Sequence, residues 1–226
     1  MLIGVAGVAA AWSAPAVAPI APWAAAALGV PRRIPSLGAV ALTFDDGPHP
    51  EGTPAALEAL AATGARATFF LVGEQVERHP TLVAEIASAG HSLAIHAHRH
   101  RNQLRLTPAQ VSDDLDRAAS VIGDVAGFLP ALYRPPYGIF SWPGLRSVRR
   151  RGWKPLLWSR WGRDWSASAT ADSIAAKVTE HLVAGDVLLL HDADTYSAEG
   201  SHRRTVAALP RVLEEIALKG LEPVAL

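Results

Sequence analysis

The 226-residue sequence has no cysteine and a single methionine. Without thiols it has no disulfide framework, no thiolate metal site and no cysteine nucleophile. Neither sign of charge is in excess: 21 basic side chains balance 21 acidic ones, so the basic face that nucleic-acid binding needs is missing and no nucleic-acid partner is expected. Beyond residue 37 there is no low-complexity linker and no repeat of fixed period. A composition that is 50% hydrophobic over this length implies one domain with a sizeable core. Charge is absent altogether from residues 1–31, which are mostly Ala, Val, Pro, Leu and Ile, with Trp12 and Trp23. That polarity suits an export or anchor segment, implying a secreted or membrane-anchored, extracytoplasmic protein with membrane association through residues 1–31. Against it, a basic leader is missing, Pro15, Pro19 and Pro22 interrupt a spanning helix, and Arg32 and Arg33 follow on the side that disfavours export. A packed N-terminal arm is the alternative, and residues 1–36 are read apart from a domain over 37–226.

Short apolar runs alternate with helical patterns from residue 37 on, the signature of an α/β protein with a parallel sheet or barrel. Strands are expected at 39–42, 67–72, 91–95, 131–133, 154–159, 187–190 and 222–225. Helices are expected at 53–62, 80–89, 107–122, 145–151, 170–183 and 205–219. Thr53 is read as the N-cap of the first, with Pro54 at its first helical position, and Gly90, Gly152, Gly185 and Gly220 as terminators.

Chemically competent side chains trail the strands. Asp45 and Asp46 end the first, in Thr43-Phe44-Asp45-Asp46-Gly47-Pro48; His96, His98 and His100 come after the third; Arg134, Asp164 and His191 come after three others. In a parallel barrel the carboxyl ends of the strands share one face, so these residues should converge. Adjacent carboxylates at the end of a buried strand repel each other and resist desolvation, and a cation is one solution. Capping of a turn or helix is the plain alternative for the Asp pair, and strand-end convergence argues against it. His96 and His100, spaced i, i+4, could present both imidazoles on one face of a helical turn. A carboxylate added to them makes the two-His, one-carboxylate set of a catalytic zinc site. His96 with His98, or His98 with His100, are alternative pairs.

These segments, together with Arg134-Pro135-Pro136-Tyr137-Gly138, Arg163-Asp164-Trp165 and Leu189-Leu190-His191, resemble the five ordered motifs of the polysaccharide deacetylases, the NodB-homology carbohydrate esterases. The resemblance covers about residues 37–226. It implies a distorted, incomplete (β/α) barrel of about seven parallel strands, with the site at the strand carboxyl ends. It further implies one divalent metal, zinc with cobalt or nickel as alternatives, and removal of acetyl groups from N-acetylated sugars such as peptidoglycan or chitin-like oligomers. By the same resemblance Asp46, His96 and His100 would ligate the metal, Asp45 would be the general base and His191 the general acid. Arg134 would pair with Asp45 and Asp164 with His191. The Tyr137 backbone would serve the oxyanion, Leu189 would wall an acetyl pocket, and Trp161 would be either a sugar platform or core.

Two positions depart from the pattern: Ile95 and Ala97 flank the first metal His where the family usually has Asn and Ser or Thr, and His98 is a candidate to compensate. Trp161 also replaces an upstream Asp of the fourth motif, and Trp158 and Trp165 are read as barrel packing. The competing readings are O-deacetylation of acetylated xylan, hydrolysis of another non-peptide amide, and an inactive carbohydrate-binding module. Sequence leaves the oligomeric state open.

Overall fold

A computed structural model describes residues 12–226. Among these, eight strands make one sheet: β1 (Ala39–Asp45), β2 (Thr68–Leu71), β3 (Ser92–Ile95), β4 (Leu132–Tyr133), β5 (Lys154–Pro155), β6 (Arg160–Trp161), β7 (Val187–His191) and β8 (Glu222–Val224). Their order is β5-β4-β3-β2-β1-β7-β6, with β8 against β1, and every pairing is parallel. β8 and β2 share one edge of β1, taking residues 39–41 and 43–45 respectively. The central strands are apolar because both faces are covered: residues 40–45 of β1 and all of β2 are buried, and Phe44 stacks on Phe69 at 5.0 Å between centroids. This is the expected α/β half-barrel.

Among the described residues, eight α-helices connect the strands or precede them: α1 (Pro22–Ala27), α2 (Gly52–Ala61), α3 (Gly73–Arg78), α4 (Pro80–Ser88), α5 (Pro108–Ala126), α6 (Trp142–Arg150), α7 (Ala171–Thr179) and α8 (Ser201–Leu218). The Thr107–Gln110 capping box starts α5, and Gly127, at φ 76°, ends it. Thr53 is not the expected N-cap. It lies inside α2, and its hydroxyl donates to Asp192 while accepting the His49 N–H at 2.7 Å. A Cβ on Gly52 would sit 1.9 Å from the Asp192 carbonyl oxygen. Gly52→Ala is therefore expected to cost about 1–3 kcal/mol by overpacking, read as a lower thermal midpoint; an unchanged midpoint would contradict this contact.

Of the strand expected over 154–159 only β5 forms; β6 starts at Arg160, at the opposite end of the sheet, and residues 156–159 cross the open side between them. The link is tied to a strand at each end, and its Ser159 N–H donates to the Val187 carbonyl of β7 at 3.0 Å. Leu156 N–H donates to the Tyr133 carbonyl at 3.0 Å, and the Leu156 and Leu157 carbonyls accept from Arg134 at 3.1 and 3.2 Å.

Residues 14–36 pack along this seam. Ala18, Ala25 and Val30 enter the core, the Pro31 carbonyl accepts the Leu157 N–H at 2.9 Å, and Arg32 Nε donates to the Trp158 carbonyl at 2.9 Å. Arg33 pairs with the buried Asp186 at 2.9 Å. Among the described residues no helix is long and apolar enough to cross a membrane. The part of the export-or-anchor reading that concerns residues 1–11 lies outside the described residues.

Candidate active site

Five strands, β1, β3, β4, β6 and β7, deliver their trailing polar residues to one face. Asp45 closes β1, and Asp46 comes next with φ 78°, a left-handed turn that separates the two carboxylates. One carboxylate meets an arginine: Asp45 Oδ1 lies 2.6 Å from Arg134 Nη1. The other meets imidazoles: Asp46 Oδ1 lies 3.4 Å from His96 Nε2 and 3.3 Å from His100 Nε2.

His96 and His100 reach Asp46 from a loop rather than from the expected helical turn. β3 ends at Ile95, and Ala97 takes φ 69°, which bends the chain so that residues four apart face one point. His98 is carried out of the ligand set. Its amide donates to Asp114 Oδ2 at 3.0 Å, and its ring packs so closely on Gly73 that a Cβ there would come within 2.6 Å of Nδ1. Neither alternative His pair forms, and His98 does not support His96.

Asp46, His96 and His100 fit a divalent cation on three observations. Their donor atoms lie within 4.8 Å of one another. Asp46 Oδ1 is buried without a hydrogen-bond partner, a costly state unless a cation faces it. His96 Nδ1 sits 2.8 Å from the Arg134 carbonyl, which can only accept, so Nδ1 carries the proton and Nε2 presents its lone pair. The protonation states agree with this. Burial pushes His100 down to about 4 against the pull of Asp46. Burial also tends to raise Asp46, but His96, His191 and His100 bring it to about 2. An ionised carboxylate beside a neutral imidazole is what metal ligation requires. The His96 ring is held by a backbone carbonyl rather than by a side chain at position 95 or 97, and Ile95 is a core residue of β3.

Arg134 is fully buried. Nη1 also donates to Thr43 Oγ1 at 2.9 Å, and the guanidinium lies 3.9 Å above the Phe70 ring centroid. Burial lowers its pKa and Asp45 opposes that; an arginine remains charged. Asp164 is equally buried. Its carboxylate accepts the His191 N–H at 2.7 Å and the Thr205 hydroxyl at 2.9 Å, and meets His191 Nδ1 at 3.0 Å. Burial disfavours the His191 cation, but Asp164, with Asp46 and Asp45, outweighs it and raises the group to about 10.

A cavity of about 410 Å³ joins Asp45, Asp46, His96, His100 and His191, with Tyr137, Trp158, Trp161 and Leu189 in its walls. Arg134 and Asp164 stand behind it. Tyr137, at φ 60° in the turn Pro136–Gly138, lays its ring 4.5 Å from His100. Trp165 is not the packing residue expected: it is 37% exposed and meets His191 edge-on at 5.5 Å. Trp158 is buried yet forms part of the wall. Tyr196 was not signalled by any motif. It stacks on His100 at 4.4 Å, donates to Glu74 Oε1 at 2.5 Å and accepts from Gln75 Nε2 at 2.9 Å.

His49, Asp194 and His202 also gather within metal-ligand spacing. There, however, His49 Nδ1 accepts the Gly52 N–H at 3.0 Å, so the ring proton sits on Nε2, 3.2 Å from Asp194 Oδ1. Nε2 is a donor and has no lone pair for an ion, the reverse of His96.

Compared with known proteins, the sequence matches the polysaccharide deacetylase family over residues 33–155, more than half of the chain. The chain belongs to that family. A peptidoglycan-N-acetylglucosamine deacetylase of Bacillus cereus is 34% identical over 185 residues, 80% of this chain and 83% of the relative. A chitooligosaccharide deacetylase of Bradyrhizobium is 34% identical over 190 residues, 81% and 86% of the two chains. Among solved structures, a family 4 carbohydrate esterase from Streptomyces lividans in complex with acetate superposes with a TM-score of 0.74. It is 34% identical, over 83% of this deacetylase-family chain and 92% of the esterase.

Proposed function

We propose that this chain is a metal-dependent amidase that removes acetyl groups from N-acetylglucosamine-containing glycans, peptidoglycan or chitin-like oligomers, releasing acetate. The observation that carries the reading is the meeting, in one cavity, of a three-donor cation set with an arginine-held carboxylate and a carboxylate-held imidazole. Zinc is the ion that two imidazoles and one carboxylate suit, with cobalt and nickel as alternatives. A divalent ion held by Asp46, His96 and His100 supplies Lewis acidity, lowering the pKa of water and polarising a carbonyl oxygen.

The side chains do the proton work. Asp45 takes a proton from the attacking water, and Arg134 keeps its free oxygen aimed at the cavity. The tetrahedral oxyanion is met by the Tyr137 backbone amide, the role the family resemblance gives it. His191, charged and held through Nδ1 by Asp164, gives its Nε2 proton to the departing amine. Leu189 and Trp161 wall the acetyl group and the sugar. An imidazole held charged near neutral pH favours an amide over the acetyl ester of xylan, because an alkoxide needs less acid assistance than an amine. The substrate class and the uncharged residues 1–31 support extracytoplasmic action.

Acetate release from N-acetylglucosamine oligomers and from peptidoglycan, after chelation and then with zinc or cobalt restored, tests the proposal. Loss on chelation and recovery on adding metal is expected on at least one substrate. Metal binding without acetate from either would replace it with an ester or non-sugar amide.

A further inference from the structure

The arm that packs along the seam also enters the cavity. Pro19 and Ile20 belong to its lining, together with Tyr137, Gly138 and Trp158. Their position is fixed from both sides. Ala18 is wholly buried, and farther along the arm the Pro31 and Arg32 bonds tie it to residues 157 and 158. Pro19 is wedged against the turn that carries Tyr137: a Cβ on Gly138 would come within 2.9 Å of Pro19 Cγ and 2.6 Å of Trp158 Cη2. Ile20, the next residue, is 78% exposed. An isolated exposed isoleucine is ordinary. One fixed in the wall of a reaction cavity by a rigid proline is a surface waiting to be covered. Pro19 and Ile20 precede residue 33, where the family match begins, so this wall is a feature of the chain outside that match.

We infer that Pro19 and Ile20 form an apolar wall of the substrate site, Pro19 as the positioning residue and Ile20 as the contact for the C–H face of a sugar ring. The inference rests on the deacetylase reading and adds a specificity determinant to it. A pyranose ring with equatorial hydroxyls presents C–H groups on its faces, and Ile20 offers them a flat aliphatic side chain on the side of Tyr137 and Trp158. Covering about 50 Å² of apolar surface corresponds to about a tenfold change in binding. This contact lies on the sugar and not on the reacting bond, so it acts on KM and leaves kcat alone.

The test compares the metal-loaded full chain with Ile20→Ala, Ile20→Phe and Trp23→Ala. Trp23 is equally exposed, at 76%, on the same arm, but off the cavity. Acetate release is measured with the N-acetylglucosamine tetramer and, as a sugar-free substrate, with para-nitrophenyl acetate. Ile20→Ala is expected to raise KM for the tetramer about five- to tenfold, with kcat within about twofold and the aryl ester unaffected. Ile20→Phe should restore KM, and Trp23→Ala should match the unsubstituted chain. An unchanged KM in Ile20→Ala beside an active unsubstituted chain overturns the wall, as does an equal loss on tetramer and aryl ester, which would make the arm purely structural. An unsubstituted chain that releases no acetate from any glycan overturns the deacetylase reading itself.

Discussion

Asp46→Asn is expected to lose both metal and turnover, whereas Asp45→Asn loses turnover and keeps the metal. The two residues are neighbours in sequence, but with φ 78° at Asp46 only Asp45 meets Arg134 and only Asp46 meets His100, while His96 Nε2 lies nearer Asp46, at 3.4 Å against 3.8 Å. Asp46 Oδ1 faces His96 and His100 at 3.4 and 3.3 Å, so an amide there removes the only anionic donor of the set. Asp45 spends one oxygen on Arg134 at 2.6 Å and serves as base with the other; replacing it should lower the rate by about two to four decades. Stability must be measured in parallel. An amide opposite the fully buried Arg134 leaves that charge uncompensated, a change that costs about 3–5 kcal/mol when the partner is deleted outright. Asparagine still accepts one hydrogen bond from Nη1, so the cost should fall toward the lower end. Metal binding by dialysis, thermal midpoint with and without zinc, and acetate release together separate the roles. A site with metal present at a thousandfold over Kd gains about 4 kcal/mol, and that rise in midpoint should persist in Asp45→Asn and vanish in Asp46→Asn. Equal metal binding by the two variants would refute the division of labour.

His191→Ala should cost about two to four decades on an amide and much less on an aryl ester, whose leaving group departs without protonation. The pH profile gives an independent reading. Burial opposes the cation, and Asp164 with Asp46 and Asp45 raises His191 to about 10. The acid form is the active one, so the rate should fall as pH rises through that value. A cation bound at Asp46 moves the limb to lower pH, because it offsets the carboxylates that favour the imidazolium. In His191→Ala the limb should disappear. A profile and rate unchanged by the substitution would remove His191 from proton transfer.

Much of this site could be read from order along the chain. Apolar runs of strand length, each trailed by Asp, His or Arg, place those residues at the carboxyl ends of parallel strands, and β1, β3, β4, β6 and β7 deliver them as the pattern requires. Local rules succeeded where local forces decide. The Thr107–Gln110 box opens α5, and Pro80 opens α4. They failed where a distant partner competes. Thr53 has the composition of an N-cap, but buried Asp192 takes its hydroxyl. Residues 154–159 have strand character, yet only 154–155 form a strand; 156–159 cross the seam between β5 and β6, and Arg134 binds the carbonyls at 156 and 157. Spacing pointed to His96 and His100, the pair that the structure brings onto Asp46, for a reason other than the helical one, since the positive φ of Ala97 bends the loop.

Fold class, the strand-end set and the family therefore come from one-dimensional pattern, because a buried strand needs continuous apolar residues and a catalytic face needs polar ones immediately after. Tertiary structure alone decided which imidazole nitrogens are free. The partner of Nδ1 fixes the tautomer, and that partner is a carbonyl for His96 but an N–H for His49. It also decided the walls. Tyr196 on His100, Trp165 on His191, and Pro19 with Ile20 in the cavity come from loops and an arm whose sequences carry no periodic signal. Their places depend on contacts with residues distant in the chain, from His191 for Trp165 to Glu74 for Tyr196 and Leu157 for the arm at Pro31, and no local propensity encodes such a contact.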